Sequence, residues 1–339
     1  MEMIRGTLHT QFPMGDASRI GEARRHAAQL AADCDLDETE TGRLAIIVTE
    51  LGTNLVRHAQ KGRLLLSARA VRREVEVIAI DDGPGMPDVA RSLGDGYSTS
   101  STPGTGLGAV RRLARDFDIH SSVPAGTIVV ARVRPDQGAR ATDDSTQICC
   151  AAIALAAPGE RVCGDAWAFG LEGARAGLIV ADGLGHGPDA AEASGRAVDV
   201  FAEDPLYPPK ALLERVHVRL RSTRGAAVTL MQADTMGSTI RSAGAGNVMG
   251  RIVSGVSDRT LLTQHGTAGL TIRTPEEIYD DWPAHAMLIV HSDGVEARWK
   301  PELLYPVLRH DPAIAAAVLL RGHLRGRDDA TVAVLRRKD

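Results

Sequence analysis

Aromatic side chains are scarce in this sequence: four Phe, four Tyr and three Trp make up 3% of 339 residues. Single-stranded nucleic acids are gripped largely by base stacking on such rings, so that class of partner is not expected. The cores must rest on Leu, Val, Ile and Ala instead. Cysteine is scarce as well. Cys34, Cys149, Cys150 and Cys163 form no C-x-x-C pair, which leaves too few for a disulfide scaffold and no thiolate metal spacing. Cys149 and Cys150 fall in the apolar run "QICCAAIAL" and read as buried thiols. An excess of one charge is also missing, since 39 Lys and Arg stand against 43 Asp and Glu for a formal net charge of -4. With the arginines scattered, neither a polyanion nor a membrane surface is expected as a partner. No apolar run approaches the ~20 residues that span a bilayer, and the N-terminus does not have the pattern of a signal peptide. The expected location is the cytoplasm.

What is present is enough for two cores. Hydrophobic residues make up 44% of the chain, and domains of about 150 residues are typical. Residues 16–60 have helical periodicity, with Ile47, Leu51 and Leu55 on one face. Strand-like runs follow at 63–70 and 74–81, then a Gly/Ser/Thr-rich loop at 94–108, a helix at about 108–117 and a strand near 126–134. "RPDQGARATDDSTQ", residues 134–147, has linker composition. Strand periodicity restarts at Ile148, with strands at 148–156, 175–181, 226–233, 238–243, 287–291 and 331–335 and helices near 188–203, 209–221 and 311–321. These boundaries predict an α+β chain of two domains, 1–138 and 147–339, joined by a linker at 139–146.

In the first domain three separated stretches fit one chemistry. Glu50 and Asn54 in "VTELGTNLVRHA" are four residues apart, so a helix puts both on one face. Asp81 opens "DDGPGMPD" at a strand end, and "GTGLG", residues 104–108, precedes a helix. Asn54 offers a hard oxygen to Mg²⁺. Asp81 can accept a hydrogen bond from an amino group such as that of adenine, while Gly83 and Gly85 permit close backbone approach. Gly104, Gly106 and Gly108 let N–H groups point at phosphate oxygens, aided by the helix N-terminus. Glu50 remains as a general base. His58, one turn beyond Asn54, is expected on the helix surface. Neither a G-x-x-x-x-G-K-[ST] loop nor an H-R-D loop occurs.

In the second domain "CGDAWAF", "VADGLGHGPDAA", "VHSDGVEAR" and "GRDDATVAVL" each set an aspartate beside an apolar run: Asp165, Asp182, Asp293 and Asp328, with Asp329 adjacent. Gathered at adjacent strand ends with no basic partner, such carboxylates call for cations, and hard oxygens suit Mg²⁺ or Mn²⁺. A pair of such ions activates water for in-line attack on a phosphoester.

The first set of motifs resembles the N, G1 and G2 boxes of the Bergerat-fold (GHKL) ATPases, in the branch of bacterial anti-sigma-factor serine kinases, over roughly residues 10–135. The resemblance implies an α/β sandwich that binds Mg-ATP, with Glu50 as catalytic base, Asn54 on Mg²⁺, Asp81 on adenine, and Gly83, Gly85, Gly104, Gly106, Leu107 and Gly108 around the nucleotide. The second set resembles the metal-dependent type 2C (PPM) protein phosphatases of the SpoIIE branch over about 147–336. It implies an α-β-β-α sandwich holding two Mn²⁺ or Mg²⁺ through Asp165, Asp182 (shared by both ions), the Gly183 carbonyl, Asp293 and Asp328, with Asp329 in support. Leu184 stands where eukaryotic members have a histidine, which makes His186 the candidate general acid, and Arg161 is a candidate phosphate ligand. Together the resemblances imply a kinase fused to an opposing phosphatase, acting on a STAS-domain anti-anti-sigma or stressosome scaffold protein and possibly on a sigma-factor regulator. The alternative is a phosphatase whose first half senses ATP or a partner without transferring phosphate.

Overall fold

The computed structural model describes residues 1–94, 106–135 and 146–338. They form two units: His9–Arg140, and Met1–Leu8 together with Ala141–Asp339. Residues 1–8, expected in the first domain from their place in the chain, belong to the second. Strand β1 (Glu2–Arg5) pairs antiparallel with residues 168–171, and the Gly6 N–H extends the ladder to the Trp167 carbonyl at 2.8 Å. A short polar-apolar segment of this kind gains its backbone hydrogen bonds by covering a sheet edge.

The first unit runs β2 (Thr10–Pro13), α1 (Ser18–Asp33), α2 (Glu38–His58), β3 (Arg63–Arg69), β4 (Glu74–Ile80), α3 (Val89–Ser92), α4 (Gly106–Leu113), β5 (Asp116–Ser122) and β6 (Gly126–Val133). Helix α2 starts at a capping box: Asp37 accepts from the Glu40 N–H at 2.8 Å and Glu40 accepts from the Asp37 N–H at 2.9 Å. Its 3.6-residue period buries Leu44, Ile47, Val48, Leu51 and Leu55 against alternate residues of an antiparallel sheet ordered β2-β3-β4-β6-β5. Strand β5 falls where the sequence predicted the end of a helix; "DFDIHSS" has the polar-apolar alternation of a half-buried strand.

Because side chains alternate, β4 sends Val75 and Val77 to this core and Glu76 to the opposite face. Glu76 is fully buried there, bound by Arg132 at 2.6 Å, Arg69 at 3.3 Å and His9 at 3.1 Å. Burial pushes its carboxyl up, but the two guanidiniums and His9 prevail and hold it well below the usual range.

The second unit continues with β7 (Ile148–Leu155), β8 (Asp165–Glu172), β9 (Arg175–Gly183), α5 (Pro188–Glu203), α6 (Pro209–Arg219), β10 (Ala226–Asp234), β11 (Thr239–Ala245), β12 (Met249–Val253), β13 (Arg259–Leu261), β14 (Gly266–Thr267), β15 (Thr271–Ile272), β16 (Ile278–Asp281), β17 (Met287–His291), α7 (Pro312–His323) and β18 (Ala330–Arg337). Two sheets, β1-β8-β9-β10-β11-β16 and β13-β12-β17-β18-β7, enclose a core that includes Trp167, Phe169, Val180, Leu288, Val290 and Leu335. Helices α5 and α6 cover the outer face of the first sheet through Phe201, Leu212 and Val216, and α7 packs on β7 and β18. The result is an α-β-β-α sandwich. Strand β8 takes up the apolar run beside Asp165, while β12, β13 and β16 are not among the strands predicted from the sequence. Among the described residues no helix is long and apolar enough to cross a membrane.

Candidate functional site

Each unit has its own candidate site. In the first, Glu50, Asn54, Asp81, Gly85, Gly106 and Leu107 line one cavity of about 500 Å³, together with Thr127 and Met86. Helix α2 presents Glu50 and Asn54 one turn apart, both half-buried. Asp81 follows β4 directly, and its Oδ1 accepts from the N–H groups of Gly83 at 2.6 Å and Thr127 at 3.3 Å. The glycine spacing has a steric cause. Gly85 has a φ of +73°, and a Cβ there would lie 2.4 Å from the Ser122 carbonyl oxygen. A Cβ on Gly126 would lie 2.1 Å from the Asp81 carbonyl oxygen. The loop is pressed onto the β5–β6 turn, and the Met86 N–H bonds the Ser121 hydroxyl at 2.8 Å.

Gly83 shapes the Asp81 turn and is not in the cavity wall, and Gly108 lies in α4 away from that wall. Gly104 lies outside the described residues. His58 is exposed and borders the cavity. Thr127 went unnoticed in the sequence; its signal was the "GT" at the start of an apolar run, which reads as a turn until β6 is paired with β4.

In the second unit β8 begins with Asp165 and β9 nearly ends with Asp182, and the two are direct cross-strand partners. Like charges so placed repel. Asp165 is 6% exposed; its Oδ2 accepts from the Ser292 hydroxyl at 2.6 Å, while its buried Oδ1 has no hydrogen-bond partner. Asp329 is buried too, with one oxygen accepting from the Ala157 N–H at 2.9 Å and the other without a partner. Asp293 accepts from Asn247 at 2.7 Å, and Asp328 accepts from the Asp329 N–H at 3.0 Å. Burial first, then the charges of Asp165 and its neighbours, pushes the Asp182 carboxyl up to about 8. Burial likewise raises Asp165 to about 7 against its bond from Ser292.

Gly183 is needed for packing, because a Cβ there would lie 2.1 Å from the Ala190 carbonyl oxygen. Cys163, beside Asp165 and Asp329, is driven up by burial and by both charges and stays a neutral thiol. His186 is exposed and bonded to Glu160 at 2.9 Å, and Arg161 is exposed.

The expectation that no basic residue stands near these aspartates needs correction. Arg325 and Arg327 both act on Asp293, lowering a carboxyl that burial and Asp328 raise. Asn247 and Ser292 were also missed: Asn247 lies outside the aspartate stretches, and Ser292, inside "VHSDGVEAR", shows its role only once it is seen bonded to Asp165. Among the described residues no group of three or more His, Cys, Asp or Glu side chains is gathered closely enough to hold a metal ion as it stands. Asp165 is turned to Ser292 and Asp293 to Asn247. The chemistry of the donors nevertheless fits a hard cation: buried oxygens lack donors and two carboxyls are held in the protonated direction, both conditions that a divalent ion relieves.

Residues 14–133 match the family model of the histidine kinase-like ATPase domain, and residues 172–338 match that of stage II sporulation protein E, SpoIIE. The serine/threonine-protein kinase RsbT of Bacillus subtilis (strain 168) is 32% identical over 114 residues, covering 33% of this chain and 86% of RsbT. The chain belongs to the RsbT family of histidine kinase-like ATPases. To that RsbT-family unit it joins a SpoIIE-type unit with the type 2C phosphatase fold. A solved structure of the bacterial stressosome, described as a modular system adapted to control secondary messenger signaling, aligns with a TM-score of 0.51 at 26% identity, covering 56% of this chain and 99% of its own. RsbX in complex with magnesium aligns with a TM-score of 0.51 at 20% identity, covering 56% of this chain and 96% of its own.

The raised carboxyls of the SpoIIE-type unit set a pH dependence. An acid whose folded pKa exceeds its unfolded value near 3.8 favours folding only while protonated, so its contribution fades as pH climbs toward about 7 for Asp165 and about 8 for Asp182. A divalent cation bound by these carboxyls would have to displace those protons. Mn²⁺ affinity is therefore expected to tighten by roughly tenfold or more from pH 6 to pH 7, with proton release, and to level off above pH 8. Titration calorimetry in two buffers of different ionisation enthalpy measures both quantities. Equal affinity at pH 6 and pH 8 would rule these carboxyls out as the binding groups.

Proposed function

We propose that this chain both adds phosphate to and removes phosphate from serine or threonine side chains of a partner protein, one activity in each unit. One observation carries the reading: each unit assembles its own set, with Glu50, Asn54 and Asp81 on a single cavity and Asp165 opposite Asp182 at the strand ends.

In the RsbT-family unit the substrate nucleotide is Mg-ATP. Asp81 accepts from the adenine amino group, Gly106 and Leu107 meet the phosphates at the start of α4, and Asn54 supplies an oxygen to Mg²⁺. Glu50 takes the proton of the attacking hydroxyl as its oxygen bonds the γ-phosphorus and the bond to ADP breaks. A unit that only sensed nucleotide would have no use for Glu50 in that wall, which favours transfer over sensing alone.

In the SpoIIE-type unit Asp165, Asp182, the Gly183 carbonyl, Asp293 and Asp328 would hold two Mn²⁺ or Mg²⁺, with Asp182 shared. Such ions supply Lewis-acid charge for phosphoester hydrolysis. Ser292 orients Asp165, Asn247 orients Asp293, and Ala157 fixes Asp329 behind them.

The relatives suggest the setting: one is a serine/threonine-protein kinase and another belongs to the stressosome. We place this chain in a cytoplasmic partner-switching pathway, with a STAS-domain anti-anti-sigma protein or stressosome scaffold as substrate and a sigma-factor regulator as a further partner. Opposed activities would cycle ATP uselessly unless biased, which makes the 139–146 linker the expected point of control.

Transfer of label from ATP to a STAS-domain protein tests the kinase half. Asn54→Ala is expected to cut transfer by about 100-fold or more while leaving Mn²⁺-dependent phosphoester hydrolysis within about twofold. Wild-type protein that binds ATP but labels no such partner would favour the sensing alternative.

A further inference from the structure

Two arginines on the rim of the carboxylate cluster are uncommitted. Arg325 and Arg327 lie in the segment joining α7 to β18, both exposed. Among the described residues neither makes an ion pair or a side-chain hydrogen bond with another residue. The nearby cation Arg224, by contrast, is bound to Asp189 at 2.7 Å. Nor is their position left to a loose loop. Leu324 bridges Val295, the Arg325 N–H bonds the Gly294 carbonyl at 2.9 Å, and the Glu296 N–H bonds the His323 carbonyl at 2.9 Å. Gly326, with φ of +67°, turns the chain between them. This stitching holds Arg325 against the turn that carries Asp293 and sets Arg327 immediately before Asp328.

The charge balance gives the pair a use. Asp165, Asp182, Asp293, Asp328 and Asp329 carry five negative charges when ionised, and two divalent ions would leave one uncompensated. A phosphomonoester dianion would then approach a site of its own sign. Two guanidiniums at the rim reverse that sign and present forked donors to phosphate oxygens. They can do so only because no protein carboxylate already occupies them.

We propose that Arg325 and Arg327 receive the substrate's phosphate, drawing a dianionic phosphomonoester toward the carboxylate cluster and setting a preference for it over monoanionic diesters. This rests on the phosphatase reading above.

The test uses the full chain, with the double variants R325Q/R327Q and R325K/R327K. Inorganic phosphate binding to Mn²⁺-loaded protein, read by calorimetry, is expected to weaken about tenfold in the glutamine variant and to recover largely in the lysine variant. kcat/KM for p-nitrophenyl phosphate falls by a similar factor with kcat within about threefold, and its decline between about 50 and about 300 mM NaCl flattens. Hydrolysis of the monoanionic bis(p-nitrophenyl) phosphate changes by less than about twofold. Mn²⁺ affinity holds or rises, because positive charge near Asp293 has been removed; a merely misfolded site would lose metal and phosphate together. Wild-type phosphate affinity in the glutamine variant overturns the proposal. If wild-type protein shows no Mn²⁺-dependent hydrolysis, the phosphatase reading fails, and phosphate affinity alone still decides whether the arginines receive the anion.

Discussion

Asp182→Asn is expected to lower Mn²⁺-dependent hydrolysis of p-nitrophenyl phosphate by about 1,000-fold or more, equivalent to about 4 kcal/mol of barrier, while ATP binding by the RsbT-family unit is unchanged. The amide keeps the shape of the carboxylate and removes the charge, and in the proposed arrangement Asp182 is the ligand common to both ions. Stability should move the other way. Burial and the facing Asp165 make the Asp182 carboxylate costly in metal-free protein, with its pKa raised to about 8. That cost is absent below pH 3.8 and complete above pH 8, so at pH 8 the neutral amide should raise the metal-free melting temperature by about a few degrees. Steady-state kinetics and thermal unfolding in chelator measure the two effects. Undiminished turnover would discredit the ligand assignment; lost turnover with lost stability would point to damage in the fold instead.

Glu76→Ala should be the most disruptive single change in the RsbT-family unit. The carboxylate is fully buried between Arg69 and Arg132, so its removal leaves two buried guanidiniums to share one carboxylate, Glu74, which lies 3.1 Å from Arg69 and 4.0 Å from Arg132. Breaking one side of such a buried network costs about 3–5 kcal/mol, a fall of roughly 10 °C or more in the melting midpoint of a unit this size. Replacing Arg69, Glu74, Glu76 and Arg132 together by Leu and Met should recover much of the loss, because the cost lies in the unpaired charges more than in the absence of an ion pair, and leaving Glu74 in place would bury a carboxylate without its two close partners. The pH dependence has a definite sign. The folded pKa of Glu76 lies below its unfolded value near 4.5, so its stabilisation is present above that value and disappears as pH falls through the folded pKa. Thermal unfolding of wild type and both variants at pH 7 checks the ordering; a single variant within about 1 kcal/mol of wild type would show the network to be inert.

Local spacing made much of each site readable. The four-residue step from Glu50 to Asn54 is a property of any helix, and the apolar stripe of Ile47, Leu51 and Leu55 identified that helix before its partners were known. Asp81 and Asp182 follow or end apolar strands, and a strand delivers its last residues to a sheet rim whatever the sheet's order. The steric demand at Gly85 could be suspected from "DDGPG" alone, although its cause, the carbonyl of Ser122, lies 37 residues further on.

The sequence by itself therefore determined the two units, the helix that carries Glu50 and Asn54, and the aspartates at strand ends, because each depends on periodicity within a few residues. Tertiary structure alone decided that Asp165 faces Asp182, that Ser292 holds Asp165 from 127 positions away, that Met1–Leu8 joins the second unit, and that Arg325 is stitched to the turn that carries Asp293. Those contacts arise from strand order and from the stitching of distant turns, and a pairing between remote segments leaves no repeat in the local sequence by which it could be read.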